Sequence, residues 1–530
     1  MIQAFHVAAE DSLFVRMLRY LGQAWPHSVF GRLWAGSEAF WRAAPASSKV
    51  VAALASPSPE EEFWRRSLSG REWASATGAV TRAFSWLGPA VAQGAGNSFV
   101  IEKARAVWRF AEKAWNGSVF ARLVLKASGI SEAGAPDAGA VLVGLYLAAV
   151  PFTPTTVNTA GAFGLLLAWA ASKLISRSQT AVSRTYVPVV LFAGITVAAT
   201  AGSVTLRQSL PSLVLWASYI AVFFVASQWV RNRAGAWFVA LAWAASATLV
   251  ALLGIRQYFS GIETAESWVD IKMSDYITTR VYSIFDNPNM LAEYLSYAIV
   301  LAFVLFLASR SSLARLSMAV AAVPMVACLG VTFSRGGWVA TALALLVVSA
   351  IKDRRFLVLL LIVLLASPLF LPESILLRAE SLITLGDSSA KYRLTIWTSV
   401  LRMIRDRWPT GIGLGPAAFA QVYPQYEIAG TPAAHTHNLY LQILVEMGVA
   451  GLAFFLWAVL NHLRDALAAR DLDRYSSFVL VGMVAGTLGQ MAHGLMDNIW
   501  YSPKNVTFFW AAVGIAVGMT AFGKKDARRA

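Results

Sequence analysis

The sequence predicts an all-α, polytopic integral membrane protein with about twelve transmembrane helices. Of its 530 residues, 57% are hydrophobic and only 14% are charged. Apolar runs close to the length of a bilayer-spanning helix recur along the chain, and basic residues concentrate in the short segments between them. This composition excludes an ordinary soluble enzyme.

The first part of the chain, residues 1–133, is predicted to be a cytoplasmic helical extension. It contains no apolar span, and its start lacks the basic segment and apolar core of a signal peptide. Apolar residues from Phe14 to Trp25 recur at helical spacing, which predicts an amphipathic helix. The segment at residues 24–33, AWPHSVFGRL, recurs at residues 114–123 as AWNGSVFARL. Such helices suit a membrane surface, and a small cytosolic helical domain is the alternative.

The predicted transmembrane domain covers residues 134–525. Its first two spans are separated only by a tight turn that contains Pro151 and Pro154, so one long kinked helix is an alternative there. The twelve predicted spans lie near residues 138–152, 156–175, 186–202, 210–229, 235–254, 290–308, 316–333, 336–350, 356–371, 439–461, 476–494 and 506–522.

Basic residues decide the predicted topology, because they fall on alternate connections. By the positive-inside rule, this pattern places both termini in the cytoplasm and requires an even number of spans. The formal charge of +15 is explained by these loops, so we expect no nucleic-acid partner. The basic residues concerned are Lys173, Arg177, Arg184, Arg231, Arg233, Arg310, Arg315, Lys352, Arg354, Arg355, Arg464, Arg470, Arg474 and the tail KKDARR.

The longest polar interruption, residues 372–438, is predicted to be one large extracytoplasmic loop that carries the functional site. It contains the segments RLTIW, GIGLGP and HTHNLYLQILVEMG, the last of which opens a new apolar helix. Arg393 of the first segment and two histidines of the last, His435 and His437, would bring a cation and a base together at the membrane surface.

Two further arginines lie on the same predicted side. Arg335, in TFSRGGW, stands at a Gly-Gly break between two spans, where its guanidinium group faces a polar cavity or extends to the lipid headgroups. Arg280 precedes an Asn-Pro loop, and Asn287 or Asn289 is predicted to cap the helix that follows.

The two histidines admit three interpretations. A metal site is disfavoured, because no third ligand is adjacent in sequence and the lone cysteine, Cys328, lies inside an apolar run. A structural role within the loop is the simplest interpretation of His435. A general base that takes a proton from a sugar hydroxyl is the interpretation we favour for His437, because Asn438 follows it at a helix start.

The ordered motifs SRGGW, R-L-x-I-W, G-I-G-L-G-P-x-x-F and H-x-H-N-L-Y-L-Q-I-L-V-E-M-G resemble the O-antigen ligase and O-antigen polymerase superfamily. The resemblance extends over residues 135–522 and is strongest between Thr332 and Leu452. It does not cover the N-terminal extension.

This resemblance implies a metal-independent glycosyltransferase without a cofactor in the bacterial cytoplasmic membrane. It would move a glycan from an undecaprenyl-diphosphate carrier to an acceptor hydroxyl on a glycan, lipid or protein, among membrane lipids. Arg335 and Arg393, with Arg280 as a further candidate, would bind the diphosphate, and His437 would be the base. Glu446, two turns into the last motif's helix, would either orient the site or bond a neighbouring span.

A transporter or lipid-glycan flippase is the alternative function. Such a protein should carry ionisable groups near mid-membrane on broken helices and should show repeats between its halves. The candidate groups of this chain lie instead at the predicted outer boundary, and no repeat is visible among its spans. The sequence does not indicate which acceptor is used.

Overall fold

The computed structural model describes residues 136–176, 183–261, 279–369, 371–380, 388–469 and 472–526. These residues form fifteen α-helices and four short 3-10 turns, with no strand among them. The predicted N-terminal extension and its repeat lie outside the described residues. The all-α prediction is therefore confirmed for the part of the chain that the structure describes.

The helices, numbered in chain order, are α1 Ala138–Ala149, α2 Thr155–Ser176, α3 Tyr186–Ala201, α4 Leu206–Trp229, α5 Arg233–Ser260, α6 Pro288–Ala308, α7 Ser312–Val331, α8 Arg335–Lys352, α9 Arg354–Ala366, α10 Glu373–Glu380, α11 Ser388–Arg407, α12 Pro416–Val422, α13 Leu439–Ala468, α14 Arg474–His493 and α15 Pro503–Asp526. The 3-10 turns are Val150–Phe152, Ser367–Leu369, Tyr423–Gln425 and Ile499–Tyr501.

Every one of the twelve predicted spans coincides with one of these helices. Seven of them, α4 to α8, α13 and α14, are long and apolar enough to cross a membrane among the residues described. Two shorter apolar helices, α1 with its 3-10 turn and α3, accompany them. The protein is thus an integral membrane protein by its helices, while the count of twelve spans and their orientation stay predictions.

Helices α1 and α2 form a hairpin and not one kinked helix. The hydroxyl of Tyr146 in α1 donates to the carbonyl oxygen of Asn158 in α2, at 3.0 Å. A Cβ atom on Gly161 would lie 2.9 Å from the Tyr146 ring. Residues so far apart in one continuous helix would be separated by roughly 20 Å along its axis. The chain therefore turns back between Ala149 and Thr155.

Helices α6 and α14 occupy the centre of the bundle. Nearly all of α6 is buried, and it packs against α5, α7, α8, α14 and α15. Helix α9, by contrast, buries no residue and packs chiefly against α8. Phe356, Leu357 and Leu360 are half-buried on one face, whereas most other apolar side chains of α9 are exposed, which matches a helix on the lipid-facing outside of the bundle.

The GIGLGP segment fits into a break in α13. Gly448 is non-helical, with φ 67° and ψ −172°, which frees helix carbonyl groups. The N–H of Ile412 donates to the carbonyl oxygen of Val445 at 2.8 Å, and that of Gly413 donates to Glu446 at 3.2 Å. A Cβ atom at Gly448 would lie 2.4 Å from the Pro409 carbonyl oxygen. The break is thus filled by loop backbone, whose close approach requires glycine.

The predicted loop 372–438 is folded along much of its length. It contains α10, α11 and α12, and α11 packs against α13. Ile396, Val400 and Met403 of α11 are buried with Phe419 and Tyr423 in a small core of their own. This apolar face holds α11 in a fixed position over the start of α13.

Candidate functional site

The candidate site lies where the starts of α6, α8 and α13 meet the end of α14. Two hydrogen bonds join the start of α13 to the end of α14. The N–H of Leu439 donates to the carbonyl oxygen of Gly494 at 2.7 Å. The Nδ2 group of Asn438 donates to the carbonyl oxygen of Leu495 at 2.8 Å. The loop before α13 and the turn after α14 are therefore held side by side.

His437 has a left-handed backbone conformation, with φ 50°, which is unfavourable for a residue with a side chain. Bonds on both sides of it stabilise this conformation. The Oγ1 hydroxyl of Thr436 donates to the Asn438 carbonyl at 2.7 Å, and the Thr436 N–H donates to Gln442 Oε1 at 2.9 Å. The side chain of Asn438 accepts from the N–H of Leu441 and caps α13, which begins where the sequence predicted a helix start.

Asp497, in the turn after α14, is the residue that the imidazole of His437 contacts. Its Oδ1 atom lies 3.1 Å from His437 Nδ1 and accepts from the N–H of Asn498 at 2.9 Å. The carboxyl group is almost completely enclosed by protein. No sequence motif pointed to Asp497, since it precedes an apolar turn and lies 60 residues from His437.

The other carboxylate oxygen of Asp497 connects the base to the arginines. It lies 3.9 Å from Arg393 Nη2 and accepts from Asn289 Nδ2 at 2.8 Å. The Oδ1 atom of Asn289 in turn accepts from Arg280 Nη2 at 3.1 Å. Asn287 caps α6, as one of the two predicted alternatives, and Asn289 bridges the site instead.

Arg280 and Arg393 form an arginine cluster beside Asp497, and Arg335 and Arg378 also belong to it. Arg335 is the first residue of α8, as the predicted break requires. Arg378 of α10 extends its Nε toward the carbonyl oxygen of Phe333, at 3.4 Å. The charges of Arg378, Arg393 and Arg335 all act on Arg280. The structure thus brings the three predicted arginines together and adds Arg378, which the sequence analysis did not single out.

The charged groups of the site affect one another, and together they keep both Asp497 and Arg280 ionised at neutral pH. Burial would by itself raise the pKa of Asp497, but the hydrogen bond with His437 and the nearby positive charge of Arg393 hold it well below its usual range. Burial, and then repulsion by Arg378 and Arg393, lower the pKa of Arg280 to about 9. Arg280 therefore keeps its positive charge at neutral pH.

His435 has a different environment from His437. Burial and then the neighbouring His437 lower the pKa of His435 to about 3, so its ring is neutral at neutral pH. Its Nδ1 accepts from the His437 N–H at 3.2 Å, and its ring lies on Tyr501 with centroids 4.4 Å apart. These contacts match the structural role that we prefer for His435.

Trp397 of the R-L-x-I-W motif contacts the loop that carries His437 directly, and Glu446 of α13 contacts it through Gln442. The Nε1 group of Trp397 donates to the Thr436 carbonyl at 3.0 Å, and Arg393 stands one helical turn before it in α11. Glu446 Oε1 accepts from Gln442 at 2.9 Å and from the Gly415 N–H at 3.2 Å. Glu446 thus acts through Gln442 on the loop that carries His437, and does not reach the base itself.

A metal site was disfavoured because no third ligand is adjacent in sequence, yet the fold supplies one. Donor atoms of His435, His437 and Asp497 all lie within 4.8 Å of one another, and these ligand types suit zinc. However, the charges of Arg280 and Arg393 act on the same carboxylate. Because these cations would repel a dication, the arrangement is better suited to binding an anion.

These helices and this cluster define an integral membrane protein with a polar, arginine-rich site at the ends of its apolar helices. Residues 320–456 match the family model described as O-antigen ligase. The match encloses Arg335, Arg393 and His437 and confirms the resemblance to the O-antigen ligase superfamily, which indicates a glycosyltransferase type of membrane enzyme. No curated protein sequence matches the chain.

Proposed function

We propose that the protein is a metal-independent, inverting glycosyltransferase. It moves a glycan from undecaprenyl diphosphate to an acceptor hydroxyl at the outer face of the bacterial cytoplasmic membrane. The observation that carries this proposal is the His437–Asp497 pair, 3.1 Å apart, directly beside the arginine cluster. A base next to several guanidinium groups suits a reaction in which a hydroxyl loses its proton while a diphosphate leaves.

The arginine cluster binds the diphosphate of the donor. Guanidinium groups form paired, charge-assisted hydrogen bonds to phosphate oxygens and keep their charge throughout the reaction. Arg335 begins α8, Arg393 lies in α11 and Arg378 lies in α10, and the charges of all three act on Arg280. As the bond between the sugar and the diphosphate breaks, negative charge grows on the leaving oxygen, and these groups stabilise it.

His437 is the general base of the reaction. Because the ionised Asp497 carboxylate can only accept, the Nδ1 atom of His437 carries the hydrogen and Nε2 holds the free electron pair. Nε2 takes the proton of the acceptor hydroxyl, and the hydroxyl oxygen bonds to the anomeric carbon of the donor sugar. The bond from that carbon to the diphosphate breaks with both electrons, so undecaprenyl diphosphate leaves and the configuration inverts.

By the predicted topology, this chemistry takes place on the extracytoplasmic side of the cytoplasmic membrane. With twelve spans and cytoplasmic termini, residues 372–438 and the turn with Asp497 lie on the extracytoplasmic side. The donor lipid would then reach the arginines from the bilayer and the acceptor from the aqueous side. A glycan, a lipid or a protein would satisfy the chemistry as acceptor, so ligase, polymerase and protein glycosylation share this site.

A transporter is the alternative, and the break in α13 at Gly448 is the feature that favours it, since transporters bind ions at broken helices. Here the freed carbonyl groups of Val445 and Glu446 already accept from Ile412 and Gly413. The break is therefore filled by the protein's own backbone, which favours a structural role.

Two measurements test the proposal. Purified protein should release undecaprenyl diphosphate from a lipid-linked donor in the presence of acceptor, and His437→Ala should lower the rate by about 10²–10⁴ while the donor still binds. His435→Ala should lower it much less. Mass spectrometry of glycoconjugates from cells with and without the gene identifies the acceptor. Full activity of His437→Ala would refute the assignment of the base.

A further inference from the structure

A third histidine at the site, His493, has no part in the chemistry described above. His493 is the last residue of α14 and is only 3% exposed. Its Nδ1 atom is buried without a hydrogen-bond partner, which is a costly arrangement for a polar group. The charges of Asp497 and Arg393 both act on the ring, so it lies within the electrostatic field of the site.

Gly336 explains how the imidazole of His493 is accommodated. A Cβ atom at Gly336 would lie 2.4 Å from both Cδ2 and Nε2 of His493. Any side chain at this position of the SRGGW motif would displace the ring. The glycine therefore allows the Nε2 edge of the imidazole to lie against the first turn of α8.

The first turn of α8 provides further donors at the same place. N–H groups in the first turn of a helix have no acceptor inside the helix, and the helix dipole makes this end favourable for anions. The Ser334 side chain accepts from the N–H of Gly337, which leaves that of Gly336 beside His493. Arg335 stands next to it in sequence and supplies positive charge.

We propose that His493 and the first turn of α8 form a subsite for one phosphate group of the lipid diphosphate. In this subsite Nε2–H of His493 donates to a phosphate oxygen, together with the Gly336 N–H. The subsite rests on the proposed function, because it assigns a place to the donor of that reaction. It gives the Nε2–H group of the buried ring an acceptor, and because Nδ1 then carries no hydrogen, only its electron pair stays without a partner.

Binding of farnesyl diphosphate to the purified full-length protein in detergent tests the subsite. We expect His493→Ala to weaken binding by about 10- to 100-fold, the range of a hydrogen bond to a charged group. His493→Gln, which places an N–H near the position of Nε2, should retain most of the affinity. His493→Asn, whose N–H corresponds to Nδ1, should not. Gly336→Ala should weaken binding too, with little further loss in Gly336→Ala/His493→Ala.

His462 of α13 is the matched control. Its ring is also buried, and both of its nitrogen atoms lack hydrogen-bond partners, but it lies roughly 35 Å along α13 from the site. His462→Ala should leave farnesyl diphosphate binding unchanged. Equal losses in His462→Ala and His493→Ala would mean that general destabilisation is the cause and would overturn the subsite.

The same experiment separates this inference from the proposed function. If the unmodified protein does not bind farnesyl diphosphate, the proposed donor is wrong. If it binds and His493→Ala binds equally well, only the subsite is wrong. Phosphatidylglycerol in nanodiscs distinguishes the other source of phosphate. Competition by this lipid that His493→Ala abolishes, with farnesyl diphosphate binding unaffected, would assign His493 to lipid headgroups and overturn the diphosphate assignment.

Discussion

The substitution Asp497→Asn tests the chemistry most directly, because it changes the charge of one buried group with little change in its shape. The amide retains an oxygen for one of the donors around Asp497. It also introduces an N–H donor. The Asn498 N–H and Asn289 Nδ2 groups are donors themselves, so neither can accept a hydrogen bond from it. The His437 Nδ1 atom, 3.1 Å away, is the remaining partner that can accept it.

The magnitude follows from the tautomer. If the new amide donates to Nδ1 of His437, the ring hydrogen moves to Nε2, and the atom proposed as the base loses its electron pair. The general-base contribution, about 10²–10⁴ in rate, should then be lost. Removal of a negative charge near Arg393, 3.9 Å away, should at the same time leave diphosphate binding intact or strengthen it.

The assay is glycan transfer by purified, folded variants, with donor binding measured separately. Asp497→Asn and His437→Ala should each be slow, and the double variant should be little slower than either, because the two residues act as a unit. Asp465→Asn is the control, because it changes another buried carboxylate, the partner of Arg184 at 3.1 Å. It should lower stability, but it should not slow transfer while leaving donor binding intact. A normal rate in Asp497→Asn, or parallel loss of rate and donor affinity, would refute the reasoning.

Three further predictions concern binding, metal and topology. Arg335→Lys and Arg393→Lys should lower activity by about 10- to 100-fold and the alanine variants further, because lysine keeps the charge but loses the paired hydrogen bonds; unchanged transfer rates would contradict this. Excess EDTA should leave the rate unchanged, and a loss that zinc or magnesium restores would show a metal requirement. In a Cys328→Ala background, an impermeant thiol reagent should label Thr398→Cys in spheroplasts and Ser312→Cys only after lysis; the reverse pattern would invert the topology.

The helices were predictable because the signal for each is local. An apolar run of sufficient length favours a helix wherever it occurs, since only a helix satisfies its backbone inside a bilayer. This is why all twelve predicted spans coincide with helices. The alternating basic connections, which require an even number of spans, favoured two helices over one kinked helix at α1 and α2, and the packing of Tyr146 against Gly161 supports the hairpin.

The folded loop was only partly predictable. The apolar residues Ile396, Val400 and Met403 recur at helical spacing in α11, and this signal is visible in the sequence. Their burial against Phe419 and Tyr423 depends on where the chain turns, which local spacing does not determine. A polar composition therefore predicted a loop, whereas the structure has a small helical layer over α13.

Asp497 and His493 could not be predicted from motifs, because their importance comes from pairing between distant segments. They lie four residues apart in one short stretch of the sequence, and this spacing alone did not predict a site. Only the bonds from Asn438 to Leu495 and from Leu439 to Gly494 bring that turn to His437. A short polar interruption between two apolar helices, on the same predicted side as the other motifs, was the one available signal.

The position of His437 explains why the motifs belong together. A left-handed residue with a side chain costs roughly 1–3 kcal/mol and persists only where its surroundings fix it. Here Trp397 bonds the backbone before the histidine, and Asn438 after it bonds both α13 and the turn after α14. Since Trp397 also fixes α11, the same contacts orient Arg393. The R-L-x-I-W and H-x-H-N segments thus act together. The strained backbone at His437 directs the imidazole to Asp497, and α11 directs Arg393 to the same carboxylate.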